Sequence, residues 1–291
     1  METAELLKKV RQVEIKTKGM CSQLFSGEYH SAFKGRGISF SEVREYEAGD
    51  EIRSIDWNVT ARMNHPYVKV FEEEREIVVM LMVDVSQSSM FGTLKQFKRD
   101  LITEVSAVLA YSAIQNNDKV GLIFFSDTIE KYIAPNKGRS HLLRIIRELL
   151  DLEPASKGTN LTAALYFLNN VMKKRSVAFI LSDFIAQNYE PMLRITARKH
   201  DLTGIRVYDK REAEIPDMGL LNVADAETGN IICVDTSNPR LRLTYARRSA
   251  EAVDRFEDIF QRSGVDTVSI STRDNYIRIL MSLFERRLKR V

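Results

Sequence analysis

Five residues in three short segments of this 291-residue chain carry oxygen ligands at suggestive spacing. Asp84, Ser86 and Ser88 form D-x-S-x-S within VDVSQSS, Thr159 lies in KGTNLTAAL, and Asp183 lies in FILSDF. Together they offer two carboxylates and three hydroxyls, all hard donors. No histidine or cysteine lies in these segments, which points away from zinc and copper. Mg2+ or Mn2+ suits such a set, because Mg2+ commonly takes one or two carboxylates and keeps several waters. So few anionic ligands would leave the ion electropositive with a coordination position open. The plainer alternative is local: Asp and Ser after a strand cap turns by bonding nearby backbone, and Asp183 could cap the helix that follows it.

The elements around these residues decide whether they can meet. IVVMLMV is an unbroken apolar run of strand length that ends at Asp84, and SVAFILSDF is a second that ends near Asp183. KVGLIFFS and LTGIRVYD read as further buried strands. Between them lie amphipathic stretches. In LKQFKRDLITEVSAVLAYSAIQNN, Leu94, Phe97, Leu101, Val105, Val108, Leu109 and Ser112 keep the rhythm of a helix with one buried face. SHLLRIIRELL, TNLTAALYFLNNVM and PMLRITARKH read the same way, with Gly158 expected to free the backbone before Thr159. Buried strands alternating with such helices predict an α/β fold, a mainly parallel doubly wound sheet covered on both faces, with N-terminal and C-terminal extensions. Ligands of such sheets bind outside the carboxyl ends of the strands, where Asp84 and Asp183 fall.

Three regions follow: an N-terminal extension over 1–75, the sheet domain over 76–210, and a C-terminal hairpin with helices over 211–291. The extension begins with an amphipathic helix carrying Leu6, Leu7, Val10 and Val13. It continues with a strand around Ile38, Phe40, Val43 and Tyr46, an Ala48-Gly49-Asp50 turn, and a short piece holding Ile55 and Trp57. Trp57 is expected as a core anchor. YVKVFEEE gives another strand. Arg44, Glu45, Asp50, Arg53, Asp56 and Arg62 could form an ion-pair network fixing this segment against the sheet, or a partner surface built on Arg44, Arg53 and Arg62. Beyond Asp209, GLLNVADAETGNIICVD predicts a hairpin. LRLTYARRSAEAVDRFEDIFQRSG predicts a long helix closed by Gly264 in the left-handed region. VDTVSIS reads as a last strand and NYIRILMSLFERRLKR as a terminal helix.

Composition narrows the function. A formal charge of +3, from 43 basic and 40 acidic residues, gives no case for nucleic acid as a partner. The basic ERRLKR end is what a solvated helix C-terminus favours. No apolar run approaches the roughly 18 residues of a membrane span. METAELLKKV has acids where a signal peptide would be basic and then apolar, so a cytoplasmic protein is expected. Cys21 and Cys233 are too few for a disulfide framework. There is no G-x-x-x-x-G-K-[ST] loop, so the chain is not expected to hydrolyse ATP itself.

DVSQS, GTNL and LSDF, in that order, resemble the metal-ion-dependent adhesion site of von Willebrand factor A-like domains, over roughly residues 76–209. The resemblance implies that Asp84, Ser86, Ser88, Thr159 and Asp183 hold the ion, Asp183 through water, and that a partner's carboxylate completes the open position. One departure is visible: many relatives have Met directly after the second serine, whereas Ser89 precedes Met90 here. GRGISFSEVREYEAGDEIRSIDWNVTAR and DAETGNIICVD further resemble a widespread bacterial family of unknown function encoded beside MoxR-type AAA+ ATPases. That resemblance implies a non-enzymatic adaptor or co-chaperone acting with such an ATPase on a client protein. Two other readings stand beside it. A metal-dependent phosphoester hydrolase would need a base, and none of His30, His65, His141 and His200 has an obvious place beside the three loops. A metal-free scaffold requires that the five ligands fail to converge.

Overall fold

The computed structural model describes Val13 and residues 38–73, 77–90, 97–224 and 231–289. Val13 is helical, whereas Leu6, Leu7 and Val10 lie outside the described residues. The chain divides into two compact units, a small one of Phe33–Ile77 and a larger one that includes Val78–Val291.

In the small unit, β1 (Ile38–Glu45) pairs antiparallel with β2 (Tyr67–Glu73). Helix α1 (Trp57–Met63) lies between them in sequence. It starts where Asp56 Oδ1 accepts the Asn58 and Val59 N–H groups at 2.9 and 3.3 Å. Arg44 grips Asp50 with both terminal nitrogens, at 2.8 and 2.6 Å, and Asp50 Oδ2 also accepts the Glu47 N–H at 2.9 Å. These bonds close the turn after β1 and hold the Asp50 carboxyl below its ordinary pKa. Asp56 pairs with Lys69 at 3.5 Å. The ion pairs expected among these residues are therefore local to this unit, while Arg53 and Arg62 are exposed and make no ion pair among the described residues. Trp57 is not a core anchor: it opens α1 with its side chain 67% exposed.

The larger unit runs β3 (Val78–Asp84), α2 (Lys98–Gln115), β4 (Lys119–Phe125), β5 (Ile129–Asn136), α3 (Arg139–Asp151), α4 (Leu161–Val171) and β6 (Val177–Ser182). It continues with α5 (Glu190–Lys199), β7 (Asp201–Tyr208), the short α6 (Lys210–Ala213), the hairpin β8 (Leu220–Ala224) and β9 (Ile231–Asp235), α7 (Pro239–Arg262), β10 (Asp266–Ser271) and α8 (Tyr276–Leu288). The main sheet has the order β10-β7-β6-β3-β4-β5. Read in chain order this is the doubly wound arrangement, with its switch point between β3 and β6. All neighbours are parallel except β5, which returns antiparallel on β4. Periodicity does not predict β5, because IEKYIAPN mixes charges with a proline, as an edge strand tolerates. The last parallel strand, β10, comes from the C-terminal region.

Alternation along the strands sorts the core. Met80 and Met82 of β3, Ile123 and Phe125 of β4 and Ile180 of β6 pack with Leu161, Leu165 and Leu168 of α4, Leu193 of α5 and Phe256 and Phe260 of α7. Val79, Leu81 and Val83 point the other way, toward the face on which α2 packs. On α2 the expected stripe is buried from Leu101 to Ser112 but not at Phe97, and Leu94 lies outside the described residues. Phe97 precedes the helix and is 56% exposed, while Lys98 is 1% exposed and shares its face with Leu101 and Val105. Gly264 closes α7 at φ +69°, as its sequence position predicts. Among the described residues no helix is long and apolar enough to cross a membrane.

Candidate functional site

Asp84 is the last residue of β3 and Asp183 the first after β6, so the two carboxylates leave adjacent strands at the switch point. Asp84 is 3% exposed. Its Oδ1 accepts the Ser86 N–H at 2.9 Å and its Oδ2 accepts the Ser182 hydroxyl at 2.6 Å. Burial, and then the Asp183 carboxylate, push Asp84 up to about 6 despite those bonds. Beyond Asp84 a single 3-10 turn, Gln87–Met90, is tied by the Ser89 hydroxyl and N–H to Ser86 O at 2.7 and 3.0 Å. Ser89 thus closes this turn. Ser86 Oγ and Ser88 Oγ lie 3.0 Å apart. The two hydroxyls are hydrogen-bonded to each other, and about 3 Å is also the separation of two oxygens on an octahedral Mg2+ with bonds of about 2.1 Å.

The other loops are fastened to this one. The Gln87 N–H donates to Lys157 O at 3.1 Å, two residues before Thr159, which is half-buried ahead of α4. Asn160 caps α4 by accepting the Ala163 N–H at 3.0 Å, and its own N–H donates to Ser126 O at 2.7 Å. Glu130 of β5 accepts the Ala155 and Ser156 N–H groups and the Ser126 hydroxyl, at 3.1, 3.1 and 2.6 Å. That carboxylate clamps the loop that precedes Thr159. Gly158 is not needed for backbone freedom, since its φ is not positive and an added Cβ would meet Asp127 Cβ at an ordinary 3.6 Å.

Behind β6, Phe184 takes a left-handed conformation at φ +57°, uncommon outside glycine. Packing holds it there: its ring stacks on Phe256 at 4.5 Å and meets Phe260 edge-on at 5.0 Å, and its N–H donates to Ser182 Oγ at 3.1 Å. Within this turn Asp183 Oδ1 accepts the Ile185 N–H at 3.3 Å.

Sequence reading missed the cation of this site. Lys98 Nζ reaches Asp183 Oδ2 at 3.1 Å and Glu212 Oε1 at 2.7 Å. Burial works against the ammonium, but the two carboxylates more than offset it and raise the Lys98 pKa. Glu212 is positioned by α6, where its Oε2 accepts the Asp209 N–H at 3.2 Å in a capping box. The signal for Lys98 was available: a lysine in step with Leu101 and Val105 stands on the buried stripe and needs a counter-charge. Nothing local marks Glu212, which is 114 positions away in sequence. His141 bonds Val120 O and His200 bonds Ser176, so neither serves these loops.

The donor set fits a small hard cation in its chemistry: paired hydroxyls at octahedral spacing, and two carboxylates whose repulsion an ion would relieve. Among the described residues no three His, Cys, Asp or Glu side chains gather as a metal site of another kind.

The sheet order, with a hydroxyl-rich turn at the end of its central strand, is that of a doubly wound α/β domain. The family described as protein of unknown function DUF58 matches residues 42–255, and the chain belongs to it. It is 30% identical over 253 residues to the uncharacterized proteins Mb1516 of Mycobacterium bovis and Rv1480 of Mycobacterium tuberculosis, covering 86% of this chain and 80% of theirs. Among solved structures, an aerotolerance-related membrane protein from Bacteroides fragilis shares the fold at TM-score 0.50 and 15% identity, over 74% of this chain and all of that one.

Proposed function

We propose that this chain is a metal-dependent protein-interaction module. Asp84, Ser86, Ser88 and Thr159 would hold Mg2+ or Mn2+, and Asp183 would hold it through water. When bound, the ion supplies an electropositive open position for a carboxylate of a partner protein. The chain's own residues set that position. Ser182 and the Ser86 N–H fix Asp84, Lys98 fixes Asp183, and Glu130 holds the loop of Thr159. Three of the five ligands are neutral hydroxyls, so the bound ion would keep a field that favours an anionic ligand.

The single observation that carries the reading is the convergence of the loops: Asp84 bonded to Ser182, Gln87 bonded to Lys157, and two serine oxygens 3.0 Å apart at the switch point. The resemblance to a family encoded beside MoxR-type AAA+ ATPases makes such an ATPase the proposed partner, with a client protein as the third member and the cytoplasm as the compartment. Arg53 and Arg62, exposed and without ion pairs among the described residues, are proposed to contribute to that contact, and Arg44 through its bond to Asp50 to shape it. The test is co-purification of the chain with a MoxR-type ATPase of the same organism, in Mg2+ and in EDTA, for wild type and Thr159→Ala. Capture in Mg2+ alone, lost in the variant, supports the reading. Capture indifferent to both chelator and variant sinks it.

A further inference from the structure

The sheet ends in a strand with an open edge. Strand β10 pairs only with β7 among the described residues, and beyond it lies a cleft of about 740 Å3. Its floor is the β10 edge from Val265 to Ser269, one wall carries Glu257 and Gln261 of α7, and the other carries Arg278, Ser282 and Arg286 of α8. The backbone parity of β10 is fixed by Thr272, whose N–H reaches Tyr208 O on β7 at 3.1 Å. Even-numbered residues therefore direct their peptide groups to β7, and Thr267 and Ser269 direct theirs into the cleft. Natural sheets blunt such edges with proline, lysine or a bulge, and DTVSIS has none of these.

The walls say what fits. Arg278, Ser282 and Arg286 recur every four residues and so line one face of α8. Both arginines are exposed, and neither pairs with a carboxylate among the described residues. Asp266, at the start of the strand, is already engaged by Arg287 at 2.7 Å and does not offset them. Glu257 is the one acidic group in the cleft lining left to offset them, and it stands on the opposite wall.

We propose that this cleft binds an extended acidic segment of a partner protein, which adds to β10 as a seventh strand. The main chain of the segment bonds to Thr267 and Ser269, and its alternate carboxylates meet Arg278 and Arg286. The surface is separate from the three loops of the metal site, and its binding does not depend on a metal.

The test uses the full chain and a fluorescein-labelled ten-residue peptide of alternating Thr and Glu, followed by fluorescence anisotropy, with the Thr and Lys counterpart as control. The acidic peptide is expected to bind equally in Mg2+ and EDTA. The charge reversal Arg278→Glu/Arg286→Glu lies on the surface and should lower its affinity at least about tenfold. Ser269→Pro removes an outward N–H while sparing the ladder to β7, and should do the same. The proposal is overturned if the Lys peptide binds as well, if EDTA abolishes binding, or if affinity survives the charge reversal. It is equally overturned if the chain forms a dimer that Arg278→Glu/Arg286→Glu dissolves, since the edge would then belong to a second copy.

Discussion

Lys98 Nζ stands 3.1 Å from Asp183 Oδ2, joining the first turn of α2 to the end of β6 across 85 positions of sequence. With Glu212 on its other side, the ammonium is the hub of a buried cluster that ties the candidate site to α6. Removing it leaves two carboxylates facing each other with no counter-charge. Lys98→Met is expected to cost about 3 kcal/mol in urea unfolding. Adding Glu212→Gln to that variant should recover part of the loss, because the two changes act on one network. Equal stability of wild type and Lys98→Met would show that the pair contributes nothing.

His200 carries the pH prediction. It is buried, its Nδ1 accepts the Ser176 N–H at 3.2 Å and lies 2.9 Å from Ser176 Oγ, and among the described residues no partner meets its Nε2. Burial, with Lys199 and Arg175 adding to it, lowers its pKa from 6.5 to about 4. Between those values the unfolded chain takes up a proton that the folded chain refuses. The contribution is therefore complete above about pH 6.5 and is lost as pH falls toward 4, by about 3 kcal/mol at most. His200→Gln should flatten this part of the stability profile between pH 7 and pH 5. Parallel profiles for the two proteins would contradict it.

Gly204 of β7 lies under Phe260 of α7, and a Cβ there would sit 2.5 Å from the ring. Gly204→Ala is expected to destabilise the fold by about 2 kcal/mol through overpacking. Combined with Phe260→Leu, it should cost less than the two changes summed. Additive costs would mean that the strand and helix do not meet as described.

The parts of the fold legible in sequence were those with a strong period. β3, β4, β6 and β7 are unbroken or nearly unbroken apolar runs because helices cover both faces, and their order along the chain already implied the crossovers. β5 lacked that signature because it is an edge, where charge and proline are permitted. Two single-residue errors have one cause. Phe97 and Trp57 are large and apolar, so residue type alone places both on buried surfaces. Position at the start of a helix exposes both, and Lys98 takes the buried place because distant carboxylates stabilise it. The five candidate ligands could be named because each sits in a short local motif at a strand or helix end. Ser182, Glu130 and Glu212 act across 98, 26 and 114 positions, and no local pattern reveals them; Lys98 is marked by its place on the buried stripe of α2, but its partner Asp183 lies 85 positions away.

The central claim is that the three loops hold a divalent cation, and thermal unfolding tests it most directly. Wild type and Asp84→Asn, which keeps the shape of the side chain, are compared in 10 mM Mg2+ and in EDTA. For a dissociation constant of about 100 μM, Mg2+ should stabilise the wild type by about 2.7 kcal/mol, a rise in Tm of roughly 5–10 °C. Asp84→Asn should show little of that rise. If Mg2+ shifts both proteins equally, or neither, the loops do not form a cation site and the account of this domain as a metal-dependent interaction module fails.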